Sequence, residues 1–147
     1  MADTVRRVDY FYTMTPHKPG EGARVLGLLR SRGVNLLAFS AFPAARRAQL
    51  DFVPVDSANF VAVAKELKIK LSPRKTVFLL EGDDRVGAIA EITGKLGAAK
   101  INITAVDAVC TGGGMSGMSG GGRRFAALLW VKPRDVQKAA AVLGATG

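Results

Sequence analysis

His17 and Asp84 occupy matched places in the chain, each three residues before a glycine, Gly20 or Gly87, that opens a run with helical spacing. Fifteen residues beyond each glycine stands an asparagine, Asn35 or Asn102. These residue types suit recognition better than bond breaking. A helix starting after Gly20 offers unsatisfied N–H groups and the positive end of its dipole, and His17 and Lys18 add to a field suited to a carboxylate. The second loop has the opposite character, because Asp83 and Asp84, with Glu81 nearby, repel a carboxylate and attract an ammonium. Catalytic chemistry finds little support. The chain holds one histidine and one cysteine, no Ser-His-Asp arrangement, no zinc spacing and no dinucleotide fingerprint in its proper context.

Each of these residues also has a purely structural reading. Asp84 suffices as a helix N-cap, and the asparagines suit helix-to-strand turns, where unusual backbone angles are tolerated. His17 reads as a solvated loop residue, Gly20 and Gly87 as points of backbone access, and Cys110 as a packed strand residue. Glu81, Asp83 and Asp84 form an acidic trio, but neighbouring carboxylates seldom converge on a hard cation without further ligands, so no metal or cofactor is expected.

The elements that carry these residues are duplicated. Shifting the chain by 67 positions lays Gly20 on Gly87, Ala23 on Ala90, Gly27 on Gly94, Leu29 on Leu96, Asn35 on Asn102 and Ala38 on Ala105 without a gap. The expected units are 1–73 and 74–147. From the third strand on the offset is 76, so the second copy has gained nine residues, which fall within the Gly-rich stretch Gly112 to Gly122. That stretch leads into a strand, whereas a phosphate cradle leads into a helix, so it reads as a hairpin tip with Met115 and Met118 in it.

In the first copy the pattern predicts a strand over Asp9 to Met14 and a helix from Pro19-Gly20 to Gly33, with Ala23, Leu26 and Leu29 on its apolar face and Val25 on the flank. A strand pair follows, to Pro43 and from Gln49 to Val55, closed by a basic hairpin. Asp56, Ser57 and Asn59 are cap candidates for a second helix on Phe60, Val63, Ala64 and Leu67, and Ile69 to Leu71 reads as a closing strand. The second copy repeats this order: a strand at Thr76 to Leu80, a helix on Ile89, Ile92, Leu96 and Ala99, and strands at Ile101 to Cys110 and Phe125 to Val131. Its last helix opens at Pro133 and carries Val136, Ala139, Ala140 and Leu143. No counterpart of the closing strand follows, and exposed edges are usually covered, so a strand lent by the first unit, the N-terminal arm or another subunit is expected. Phe78-Leu79-Leu80 and Ala126 to Val131 do not alternate, which predicts burial of both faces and favours a symmetric homodimer.

The βαββαβ order, the Asp-Arg-Val-Gly at Asp84 to Gly87 and the Gly-Val-Asn-Leu at Gly33 to Leu36 resemble the ACT domain, here as two tandem copies covering nearly the whole chain. The resemblance implies an α+β fold of two ferredoxin-like units with antiparallel sheets, the second without its own last strand. It further implies a non-catalytic module that binds an amino acid between units and regulates a metabolic enzyme. Carried over residue by residue, it places the ligand against His17 or Asp84 and against Asn35 or Asn102, at the backbone of Gly20 or Gly87. Val86 stands where many relatives have proline, and His17-Lys18 where acidic residues are common.

A formal charge of +9 favours anionic partners. Arg46-Arg47 and Arg123-Arg124 fall at nearly equivalent hairpins, so nucleic-acid or polyanion binding is the alternative, and a pure protein-protein scaffold is another. Nucleic acid is the less favoured, because Phe125 to Val131 lacks the aromatic pattern on which RNA-binding sheets stack bases. No apolar run reaches the roughly 18 residues of a membrane span, the N-terminus lacks a signal-peptide pattern, and a cytoplasmic location with no membrane partner is expected.

Overall fold

The computed structural model describes residues 3–112 and 122–147. Residues 113–121, with Met115 and Met118 and most of the Gly-rich hairpin tip, lie outside the described residues. The element order is β1 (Thr4–Pro16), α1 (Glu21–Ser31), β2 (Leu36–Ala44), β3 (Arg47–Pro54), α2 (Ser57–Glu66), β4 (Lys75–Asp83), α3 (Ala88–Ala98), β5 (Ile103–Thr111), β6 (Arg124–Val131) and α4 (Val136–Leu143), the last preceded by a 3-10 turn at Pro133–Asp135. Two compact units result. One is continuous, Asp9–Lys75; the other is split, Met1–Val8 with Thr76–Gly147.

In the continuous unit the strand order is β2-β3-β1, with antiparallel pairs that set both Phe11 and Phe39 opposite Phe52. Phe52 and Phe60 are fully buried, and Phe11, Phe39, Phe52 and Phe60 form a chain of tilted rings with centroids 5.4–5.5 Å apart. α1 adds Val25 and Leu29, one helical turn apart, as its buried stripe. Val25 is thus central rather than flanking, and Ala23 faces solvent. Of the cap candidates, Asp56 does the work, its carboxylate accepting from the Asn59 N–H at 3.0 Å. The expected closing strand at Ile69 to Leu71 does not form a ladder. The segment runs beside β1 instead, held by the Ser72 N–H on the Tyr12 carbonyl (2.8 Å) and the Thr13 hydroxyl on the Lys70 carbonyl (2.7 Å).

The split unit has the order β1-β4-β6-β5, with β4–β6 and β5–β6 antiparallel. Val77, Phe78 and Leu80 are fully buried on β4, and Ala88, Ile92 and Leu96 line α3. The place beside β4 where a last strand was missing is taken by the N-terminal arm. Its Val5 packs on the Phe78–Leu96–Leu129 core, the Arg7 N–H donates to the Thr146 carbonyl at 2.7 Å and the Thr146 N–H to the Val5 carbonyl at 3.0 Å. The first eight residues therefore lie with the second copy, and the units part at two places, between Val8 and Asp9 inside β1 and between Lys75 and Thr76.

Among the described residues the four α-helices end in one way, with a residue at positive φ after the last turn: Gly33 (φ 70°), Lys68 (60°), Lys100 (60°) and Gly144 (65°). After α3 the Ile101 N–H returns to the Leu96 carbonyl at 2.9 Å and the Lys100 N–H to the Gly97 carbonyl at 3.0 Å, which satisfies carbonyls the helix end leaves unpaired. Lys100 holds the place that glycine holds at Gly33 and carries a Cβ in a conformation unfavourable to L-residues. Lys100→Gly should raise stability by about 1 kcal/mol, visible as an increase in the urea midpoint.

Candidate functional site

β4 ends at Asp83, opposite Arg124 of β6, and the chain then turns through Asp84, Arg85 and Val86 into Gly87. Gly87 is the N-cap of α3 and has φ 80°; a Cβ there would meet nothing within 4 Å, so backbone conformation, not space, calls for glycine. This overturns the cap reading of Asp84, whose side chain makes no cap bond to α3. Instead the Asp84 N–H donates to the Arg123 carbonyl at 3.0 Å, and its Oδ2 lies 3.6 Å from Arg123 Nε, an ion pair longer than a hydrogen bond.

Between this turn and the edge strand β5 lies an open cleft of about 280 Å³, lined by Asp84, Arg85, Gly87, the first turn of α3 (Ala88, Ile89, Ala90), Ala108, Val109, Cys110 and Phe125. The β5–β6 register sets Cys110 opposite Phe125 and Ala108 opposite Ala127, which is what brings the edge strand to the helix start. Most of the lining is apolar, Asp84 brings a carboxylate residue to it, and the first N–H groups of α3 have no carbonyl within their own helix to bond. With its parts so placed the cleft offers an acceptor for an ammonium, donors for a carboxylate and apolar surface for a side chain.

Charges around the cleft are heavily paired. Arg85 Nη1 and Nη2 hold Asp3 Oδ1 and Oδ2 at 3.0 and 2.9 Å, Nη2 also reaches Glu91 Oε2 at 3.0 Å, and Nη1 the Asp83 carbonyl at 3.2 Å. Its guanidinium carbon stands 5.9 Å from the centre of the Phe125 ring. The hydrogen bonds to Asp3 and then to Glu91 raise the Arg85 guanidinium above its already high range. Arg124 donates to Asp83 at 2.8 Å and so holds that carboxyl below its usual range. Arg123 Nε lies 3.2 Å from Cys110 Sγ, and that bond first, with the charges of Cys110 and Asp84, raises Arg123. The acidic trio does not converge, because Glu81, Asp83 and Asp84 face Arg6, Arg124 and Arg123 respectively; among the described residues no three metal-ligating side chains group together.

Of the residues singled out by sequence, Asp84 and Gly87 meet at this cleft, whereas Asn102 is exposed at the turn before β5 and is not part of its lining. In the continuous unit Gly20 caps α1 at φ 87° and His17 is exposed. Asn35 is exposed as well, and its Oδ1 accepts from the Leu36 N–H at 3.0 Å, the turn role open to it. The sequence reading missed Arg85, Phe125 and the Ala108–Cys110 edge. For Arg85 a signal was present, a cation inside the repeated loop motif; its partner Asp3, 82 positions away, left none.

No protein-family model and no curated protein matches the chain. Solved structures resemble it in fold. Protein BT0572 from Bacteroides thetaiotaomicron is 17% identical with a TM-score of 0.74 over 95% of this chain and 88% of that one. The ligand-free regulatory subunit of aspartate kinase from Thermus thermophilus is 11% identical with a TM-score of 0.61 over 98% and 96%. Aspartokinase III of E. coli, solved with aspartate and ADP, is 18% identical with a TM-score of 0.54, and its match spans 97% of this chain but 32% of the enzyme. At these identities the likeness is one of fold, and that fold is α+β and similar to that of the regulatory subunit of aspartate kinase. Among the described residues no helix is long and apolar enough to cross a membrane.

Proposed function

We propose that this protein is a non-catalytic regulatory module that binds a free amino acid in the cleft beside Gly87 and passes its occupancy to a metabolic enzyme. The observation that carries the reading is the cleft itself: one carboxylate residue, Asp84, and the first turn of α3 line it together with the apolar Ala108, Val109 and Phe125. This orients a zwitterion with its carboxylate on the α3 amides and its ammonium on Asp84, which places both charges of the ligand at one loop rather than dividing them between the two copies. Likeness in fold to an aspartate kinase regulatory subunit supports the regulatory part of the reading.

Polyanion binding is less favoured, because Arg124 is held by Asp83 at 2.8 Å. A homodimer accords with this reading, since β5 ends its sheet with Val106 and Val109 40% and 60% exposed.

Thermal unfolding against each of the common amino acids tests the proposal. A ligand at about 100 times its dissociation constant adds roughly 2.7 kcal/mol, a shift of several degrees at this size. Asp84→Asn removes the charge opposite the ammonium and should weaken binding about ten- to a hundredfold; an unchanged affinity would refute the orientation, and no shift with any amino acid would refute the function.

A further inference from the structure

A second cavity, of about 430 Å³, is lined by Asp3, Val5, Asp83, Arg85, Glu91 and Lys95 among others. Arg85 is common to both cavities. It borders the cleft and clamps the N-terminal arm through a two-pronged bond to Asp3.

A guanidinium has five N–H donors in a fixed plane, and four are taken here: two by Asp3, one by Glu91 and one by the Asp83 carbonyl. Only the Nε–H remains. A carboxylate approaching from the cleft therefore gains a two-pronged grip, the strongest geometry available to it, only by taking an Nη2 donor from Asp3 or Glu91. Asp3 is confined, its carboxylate occupying the space a side chain at Gly82 would need, with Oδ1 2.0 Å from where a Cβ would stand. It cannot follow Arg85 without leaving that niche, and it is followed directly by the strand whose Val5 and Arg7 hold the arm in place.

We propose that Arg85 joins the α3 amides in holding the ligand's carboxylate, exchanging Asp3 for it, so that occupancy of the cleft and docking of the arm Thr4–Val8 oppose one another. This inference rests on amino-acid binding in the cleft and adds its consequence for the arm. Coupling of this kind is reciprocal: the factor by which the ligand favours release of the arm is the factor by which release of the arm favours the ligand.

The test is amide hydrogen exchange of the full chain, with and without the amino acid that gives the largest thermal shift, in the natural protein, in Asp3→Asn and in Arg85→Lys. Saturating ligand is expected to speed exchange of the Val5 to Val8 amides about fivefold or more. Asp3→Asn should speed it without ligand and bind the amino acid about threefold or more tighter. Arg85→Lys, which keeps the charge but loses the planar fork, should loosen the arm and weaken binding, and it serves where Asp3→Asn does not fold. Ligand binding with unchanged arm exchange, or with Asp3→Asn affinity equal to the natural protein's, overturns the coupling and leaves amino-acid binding standing. Failure of every amino acid to bind overturns both.

Discussion

Deleting residues 1–8 should lower the unfolding free energy of the split unit by about 3–5 kcal/mol, at roughly 1 kcal/mol for each hydrogen bond lost plus the burial of Val5. The deletion removes the Asp3 clamp on Arg85, the Arg7–Thr146 and Val5–Thr146 backbone bonds and the Arg7 Nε bond to the Gly147 carbonyl (2.8 Å). It also bares the edge of β4, the strand with three fully buried side chains, Val77, Phe78 and Leu80. An unprotected edge beside such a strand invites pairing with another chain, so self-association should accompany the loss. The measurement is urea unfolding with exchange of the Phe78 and Leu80 amides. A loss below about 1 kcal/mol would mean that the arm contributes little to this unit.

Phe52→Ala should cost about 3–5 kcal/mol in the continuous unit, among the largest effects of any single substitution. Phe52 is fully buried, contacts the rings of Phe39 and Phe60 at 5.4 Å, and pairs across the sheet with Phe11 on one side and Phe39 on the other. Truncation leaves a cavity among rings that two strands and a helix hold apart, and close packing limits their collapse. Phe52→Leu, which keeps most of the volume, should cost about 1.5 kcal/mol or less. Thermal melts read both: at about 4–8 °C per kcal/mol for a unit of this size, the alanine variant should melt more than 10 °C lower. Equal melting of the two variants would contradict a core organised on this ring.

The duplication made much of this legible. Glycines at a fixed spacing marked the starts of α1 and α3, because a backbone that must enter a helix from positive φ leaves a glycine in the sequence. Asp56 was readable as a cap for the same local reason. Asp84 misled, since an aspartate before a helix is the usual signature of a cap, but here the chain makes one more turn and Gly87 takes that position. Ile69 to Leu71 misled too, because its apolar residues suit a strand while the ladder beside β1 never forms. The Asp3–Arg85 clamp joins residues 82 positions apart, and no local periodicity reports such a contact. Lys100 in the left-handed region could have been inferred from Gly33, its counterpart in the repeat.

The most direct test of amino-acid binding at the Gly87 turn is an amide NMR titration with the common amino acids. One chemical class should move the Ile89 and Ala90 amides together with those of Ala108 to Cys110, and Asp84→Asn should weaken the response. Titration that moves no amide, or moves only amides remote from α3 and β5, would contradict it.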